Sequence, residues 1–240
     1  MSVAIICQPM LILSLDTTTR AGSCALLGDG GVIREHTGDD SRDQAERLPR
    51  DVATLLEREA VSLQAIDGFA VATGPGSFTS LRVGIATMQG LAMATGKSLI
   101  GVSAFDALAS LAGGGRVAAW IDAWRGEVFA AVYENGVAAG ASVVEKPDVL
   151  LDTLLETTAG RTTLFTGDGA ALYEHRIRER LGEHARFTSP VAPPLAGAVA
   201  TLAARVFRAG ERPLPHAIRP IYVRRSDAEL AADRKDLRRV

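Results

Sequence analysis

The sequence is nearly devoid of cysteine. Across 240 residues Cys7 and Cys24 are the only thiols. Two are too few for a structural zinc site or a disulfide framework, and both read as reduced core or near-core residues. Histidine is almost as sparse: His36, His175, His184 and His216 are scattered, with no pair at the i, i+4 spacing of helical metal ligands. No apolar run reaches the roughly 18 residues that a membrane-spanning helix needs. An excess of charge is also missing. The 26 basic residues are set against 28 acidic ones, for a formal net charge of −2, so no global basic field points to nucleic acid. If RNA is involved, a partner must supply most of the grip. There is no Gly-x-Ser-x-Gly elbow and no evident histidine partner for Cys24, so nucleophilic catalysis has no candidate residue.

What is present is core material. Hydrophobic residues make up 47% of the chain and charged ones 22%, which excludes a disordered regulator and suits one large or two small domains. Met1 to Met10 is apolar but lacks a basic n-region and a cleavage site. Residues 1–9 are therefore expected to form a flexible extension, and the protein is expected in the cytoplasm.

Residues 11–15 are a buried-strand run ending in Asp16-Thr17-Thr18-Thr19, and strands at 23–27 and 32–36 flank the hairpin signal Gly28-Asp29-Gly30-Gly31. Over 43–59, Leu48, Val52, Leu55 and Leu56 recur at helical spacing. Pro49 lies within that pattern and must fall in the first turn or mark a kink. A strand at 69–72 feeds the loop 73–79, a helix at 80–95 closes on Gly96, and strand 98–102 and helix 104–111 follow, ended by Gly113-Gly114-Gly115. A similar order then recurs. Strands 117–122 and 127–134 flank Ala123-Trp124-Arg125-Gly126, followed by helix 147–155, strand 163–166, helix 172–181, a long apolar helix at 194–209 and a short segment at 221–223. Two successive hairpin-then-α/β units predict a duplicated α/β architecture rather than one doubly wound sheet. The expected division is an N-terminal lobe at 10–103, a C-terminal lobe at 104–210, and a segment at 211–240 that partly packs back. The charged stretch 227–240 is expected as a frayed or partner-dependent helix.

Five features can carry chemistry. In Asp16-Thr17-Thr18-Thr19, a carboxylate at a strand end with hydroxyls in the turn suits either a metal-bound phosphate or a local Asx/ST turn. In Thr73-Gly74-Pro75-Gly76-Ser77-Phe78-Thr79, Gly74 and Gly76 let the backbone pass close to another chain or an anion, or form a tight structural turn. Ser77 or Thr79 can cap the next helix, whose free N–H groups favour an anion, while Arg82 in its first turn suggests an anionic partner or an ion pair. Ala86, Gly90 and Ala94, at steps of four, let a second helix approach closely, within the fold or across a subunit boundary. Asp122, Arg125 and Glu127 form a polar corner, and Gly167-Asp168-Gly169 before a helix is a weak nucleotide signal.

Several of these runs resemble the bacterial TsaB (YeaZ) family. The run Leu11-Ile12-Leu13-Ser14-Leu15-Asp16-Thr17-Thr18-Thr19 is similar to its opening "ILAIDTST". The stretch from Thr73 to Gly84 resembles its "GPGSFTGxRxG", that from Ile121 to Val128 its "IDARRGEVY", and that from Pro220 to Arg224 its closing "PxYLR". The matches run in family order from about residue 10 to 225. The resemblance implies an actin/Hsp70/sugar-kinase-like (ASKHA) fold of two related lobes with mixed sheets flanked by helices. It also implies a part in transferring a threonylcarbamoyl group to adenosine 37 of ANN-decoding tRNAs, as an activating subunit of a catalytic paralogue, TsaD, in a complex with the ATPase TsaE. tRNA would be reached only indirectly, and no membrane is involved. The family also pairs with itself, so a homodimer is a second expected assembly.

The paralogue's His-x-x-x-His metal motif falls here on Ala104 and Leu108, which cannot bind metal, so no metal site and no catalytic residue are assigned. Thr18 stands where the fold's phosphate turn has glycine, crowding the approach to a phosphate. Asp16, Thr17, Thr18, Gly74, Gly76 and Ser77 are accordingly expected as degenerate phosphate loops. No cofactor is required by this chain, and ATP or ADP, if bound, belongs at the partner interface. That interface is assigned to the two N-terminal helices through Leu48, Val52, Leu55, Arg82, Ala86, Gly90 and Ala94. The alternative is a small ASKHA-type ATPase or phosphotransferase using Asp16 to orient magnesium. The older label of glycoprotease-like (M22) peptidase needs a metal or nucleophile that these residues do not provide.

Overall fold

A computed structural model describes residues 10–39, 44–158 and 160–224. The expected extension at 1–9 and the charged stretch at 227–240 lie outside the described residues. Strands β1 (Ile12–Asp16), β2 (Ser23–Gly28) and β3 (Gly31–Thr37) run as an antiparallel meander. Helix α1 (Gln44–Arg58), β4 (Gly68–Gly74), α2 (Phe78–Thr95) and β5 (Leu99–Ser103) complete the first unit. Its sheet has the order β3-β2-β1-β4-β5, with β1, β4 and β5 parallel.

The second unit repeats the plan. Helix α3 (Ala104–Ala112) leads into β6 (Arg116–Asp122), β7 (Val128–Glu134), β8 (Val137–Ala138) and β9 (Val143–Glu145). Then come α4 (Pro147–Thr158), β10 (Thr163–Thr166), α5 (Asp168–Leu172), α6 (Glu174–Leu181), β11 (Ala185–Phe187) and α7 (Ala196–Arg208). The sheet order is β11-β10-β6-β7-β8, with β9 also on β7. In each sheet an antiparallel hairpin (β1–β2, β6–β7) is joined in parallel by the strand that follows a helix (β4, β10). This is the duplicated, two-lobed α/β architecture expected from the sequence.

β1 and β4 are buried from end to end because helices cover both faces of the first sheet. Leu13, Leu15, Phe69 and Val71 point to α1 and α2, meeting Leu48, Leu55, Ile85 and Met88. The alternate residues Ile12, Ala70 and Ala72 point to the other face, meeting Val199, Ala203 and Phe207 of α7. Pro49 lies well inside α1 rather than at its start, so the helix does without the bond its missing N–H would have made.

Helix α7 corrects the lobe boundaries. Counted above within 104–210, it instead covers the first sheet. Side chains of the first lobe fix its start. Ser23 Oγ accepts the amides of Leu195 (3.2 Å) and Ala196 (3.0 Å), Glu35 Oε1 accepts that of Gly197 (2.8 Å), and Ser14 Oγ donates to the Ala196 carbonyl (2.7 Å). The expected helix at 172–181 is also corrected: α5 ends at Leu172 and α6 starts after Tyr173, whose backbone (φ −109°, ψ 18°) leaves the helical path. Among the described residues no helix is long and apolar enough to cross a membrane.

Candidate functional site

Asp16 closes β1 at the carboxyl edge of the parallel strands, where open α/β sheets characteristically place ligands. It is fully buried, and both of its oxygens accept bonds from its own turn. Oδ1 accepts the Thr18 amide (2.9 Å) and the Thr18 hydroxyl (2.5 Å), while Oδ2 accepts the Thr19 hydroxyl (3.0 Å). Burial raises the carboxyl's pKa against the lowering effect of those bonds. Thr17 is buried with its side chain against Gly84 of α2, and its Oγ1 has no hydrogen-bond partner among the described residues.

The loop 73–79 lies directly on this turn. A β-carbon on Gly76 would come within 2.9 Å of the Thr18 α-carbon and 3.0 Å of its carbonyl oxygen. Gly74, with φ +121°, faces the other way, and a β-carbon there would meet the Ile221 carbonyl oxygen at 2.6 Å. Ser77 takes the N-cap position of α2 without a side-chain capping bond. The two glycines therefore serve close contact between segments. Both carboxylate oxygens are engaged within their own turn, and Gly76 sits over Thr18, so the two segments crowd one another. Ala104 and Leu108 are fully buried on α3, and among the described residues no three His, Cys, Asp or Glu side chains group as metal ligands.

Across from this turn, Asp168 Oδ1 accepts the Asp122 amide (3.0 Å), and Asp122 Oδ1 accepts that of Trp124 (2.9 Å). Burial pushes the Asp168 carboxyl up to about 6, with the Asp122 and Asp16 carboxylates adding to the rise. The β6–β7 turn holds Trp124 (φ 57°), Arg125 (φ 58°) and Gly126 (φ 77°) in the left-handed region, a conformation costing roughly 1–2 kcal/mol for each non-glycine residue. Bonds from Ala123 N to Glu127 O and from Glu127 N to Trp124 O hold it.

A C-terminal strap joins the two sides. Gln89 Nε2 donates to the carbonyls of Pro215 (2.9 Å) and Ile218 (3.2 Å), and the Ile221 amide donates to the Thr73 carbonyl (2.7 Å). Tyr222 stacks on Phe78 at 5.2 Å, and its hydroxyl accepts from Arg82 Nε (3.0 Å). The Arg82 guanidinium lies 3.8 Å from the Phe78 ring centre; because α2 starts at Phe78 rather than at 80, Arg82 falls just past the first turn, where an aromatic face and a hydroxyl hold it. Arg224 donates to the Ala123 carbonyl (3.0 Å) and pairs with Glu127 on the second lobe. Loop, turn and strap enclose a cleft of about 280 Å³. Sequence reasoning missed it because its walls come from three distant segments. The available signal was that three of the motifs each carry an aromatic and a basic residue: Phe78 and Arg82, Trp124 and Arg125, Tyr222 and Arg224.

The helix faces divide cleanly. Leu48, Val52 and Leu55, expected at a partner interface, are buried in the lobe's own core and have no surface to offer. Ala86, Gly90 and Ala94 lie on the exposed side of α2 beside Met93, which is 65% exposed. A β-carbon on Gly90 would have nothing within 4 Å, so among the described residues nothing packs on the stripe at that point.

Residues 27–232 match the family model described as TsaD, tRNA N6-adenosine threonylcarbamoyltransferase. The tRNA threonylcarbamoyladenosine biosynthesis protein TsaB of Escherichia coli is 37% identical, over 66% of this chain and 72% of that protein. A solved Pseudomonas aeruginosa protein with similarity to peptidase YEAZ superposes with a TM-score of 0.74 at 33% identity, covering 90% of this chain and all of that one. The ethanolamine utilization protein EutJ of Carboxydothermus hydrogenoformans, at 13% identity and a TM-score of 0.57 over 80% of this chain and 89% of its own, shares the fold alone. By sequence and by structure, the chain belongs to the TsaB (YeaZ) family.

Proposed function

We propose that this chain acts in the biosynthesis of threonylcarbamoyladenosine in tRNA as a non-catalytic subunit. In this reading it associates with a TsaD-type subunit that transfers the threonylcarbamoyl group to adenosine 37 of ANN-decoding tRNAs, with a TsaE-type ATPase joining the complex. The names of its relatives support the pathway. The observation that carries the non-catalytic role is the internal use of Asp16, whose carboxylate is closed within its own turn beneath Gly76. The partner then supplies the metal centre, any nucleotide site and most of the grip on RNA. The exposed Ala86/Gly90/Ala94 face of α2 is the docking surface, whether for the catalytic subunit or for a second copy of the chain.

Nucleoside analysis of tRNA by mass spectrometry, after depletion of this protein and rescue, tests the pathway. Threonylcarbamoyladenosine is expected to fall and to return on rescue, and an unchanged level would remove the assignment. ATP hydrolysis by the purified chain alone, abolished by Asp16→Ala, would instead establish the phosphotransferase reading.

A further inference from the structure

We infer that the cleft between the 75–78 loop, the 123–125 turn and the 221–224 strap is a stacking site for an unpaired nucleotide of an RNA strand. The inference rests on the role in tRNA modification proposed above, and it adds a direct contact by this chain to an RNA otherwise held by the partner. Phe78, Trp124 and Tyr222 are each 40–42% exposed, and all three line this one cleft. Isolated apolar residues at a surface are ordinary, whereas aromatics gathered from three separate segments around one concavity mark a binding site.

The charge of the lining fits the same ligand. Arg125 and Arg224 line the cleft, Arg224 being paired with Glu127 behind it, and the lining itself contains no aspartate or glutamate, although the chain as a whole carries a net charge of −2. Aromatic faces and guanidinium planes together accept a splayed base, and arginine matches the phosphate that comes with it.

The site is also preformed. Phe78 and Tyr222 are stacked at 5.2 Å with 25° between their planes, and Arg82 fixes both. Opposite them, the left-handed backbone at Trp124 and Arg125 is held by the bonds of its turn. Strained non-glycine residues persist where the surrounding structure over-determines them, and they cluster at ligand clamps. The cleft, at about 280 Å³, has room for one planar base and not for a duplex.

Fluorescence anisotropy with a labelled RNA stem-loop and the full-length protein tests this. The stem-loop is expected to bind, more weakly as salt rises, and a fully paired duplex of equal length is expected not to compete. Trp124→Leu should weaken binding roughly tenfold, the scale of losing one base–aromatic stack, while Trp124→Phe, which keeps a π face, should retain most of the affinity. Thermal melting of both variants confirms the fold. Unchanged binding by Trp124→Leu, competition by the paired duplex, or AMP competing as well as the stem-loop would each overturn the RNA assignment, the last in favour of a free nucleotide. Association with the catalytic partner is measured separately. A chain that binds the partner but not the stem-loop loses this inference and leaves the proposed function intact.

Discussion

Gly76 rests on the backbone of Thr18, so closely that a single added methyl group would lie 2.9 Å from the Thr18 α-carbon. The obstacle is main chain rather than the end of a flexible side chain, so neither segment can yield cheaply. Gly76→Ala is therefore expected to destabilise the fold by about 1–3 kcal/mol, as overpacking does. Thermal melting should show a drop of several degrees. An unchanged melting temperature would mean that the loop does not close on the turn.

Asp16→Ala is expected to act through stability as well. It strips the acceptor from the Thr18 amide, the Thr18 hydroxyl and the Thr19 hydroxyl. Leaving buried donors unmatched costs about 1–3 kcal/mol. Denaturant unfolding should show a lower midpoint with an unchanged slope. A variant as stable as the native chain would show that the carboxylate is not the keystone of its turn.

How far these arrangements could be read from the sequence depends on the range of the forces that set them. The strands β1 and β4 were plain as short apolar runs, because burial on both faces leaves no polar alternation. The repeated hairpin-then-helix order gave away the duplication. The strands β8, β9 and β11, two or three residues each, are too short for any periodicity to show. Helical spacing marked Leu48, Val52 and Leu55 as one face, but spacing does not say what covers a face, and the covering is this chain's own sheet. The lobe that holds α7 was beyond local reading. Its alanine-rich surface suits either sheet, and Ser14, Ser23 and Glu35, more than 150 positions away, decide between them. The cleft has the same origin: Phe78, Trp124 and Tyr222 meet only after both lobes and the strap are in place.

Asp168 gives the protein a pH dependence with a definite sign. Its carboxyl rises from an ordinary 3.8 to about 6 in the fold, chiefly through burial. The native state therefore holds this proton more tightly than the unfolded chain. The contribution to stability is fully present below about pH 4, declines as pH rises, and is gone above about 6. Asp168→Asn keeps an oxygen for the Asp122 amide and carries no charge. It should be more stable than the native chain at pH 7 by at most about 3 kcal/mol, with the gap closing towards pH 4. Asp16 and Glu35, also raised by burial, slope in the same direction, so the difference between the two proteins isolates Asp168. Parallel stability curves would contradict the assignment.

Gly90 separates folding from association by the sign of its effect. It lies mid-way along α2, where glycine costs a helix about 1 kcal/mol relative to alanine. A side chain there would meet nothing within 4 Å. Gly90→Leu should therefore leave the isolated chain at least as stable as before. On a docking face the outcome reverses, because the stripe of Ala86, Gly90 and Ala94 lets a second helix approach only while it stays flat. Analytical ultracentrifugation with the catalytic subunit is expected to show the complex lost and the monomer intact. If Gly90→Leu still associates, α2 docks through another face. If it fails to fold, the open space at Gly90 is filled within this chain. A structural glycine would be damaged in both measurements, whereas an interface glycine gains in one and loses in the other.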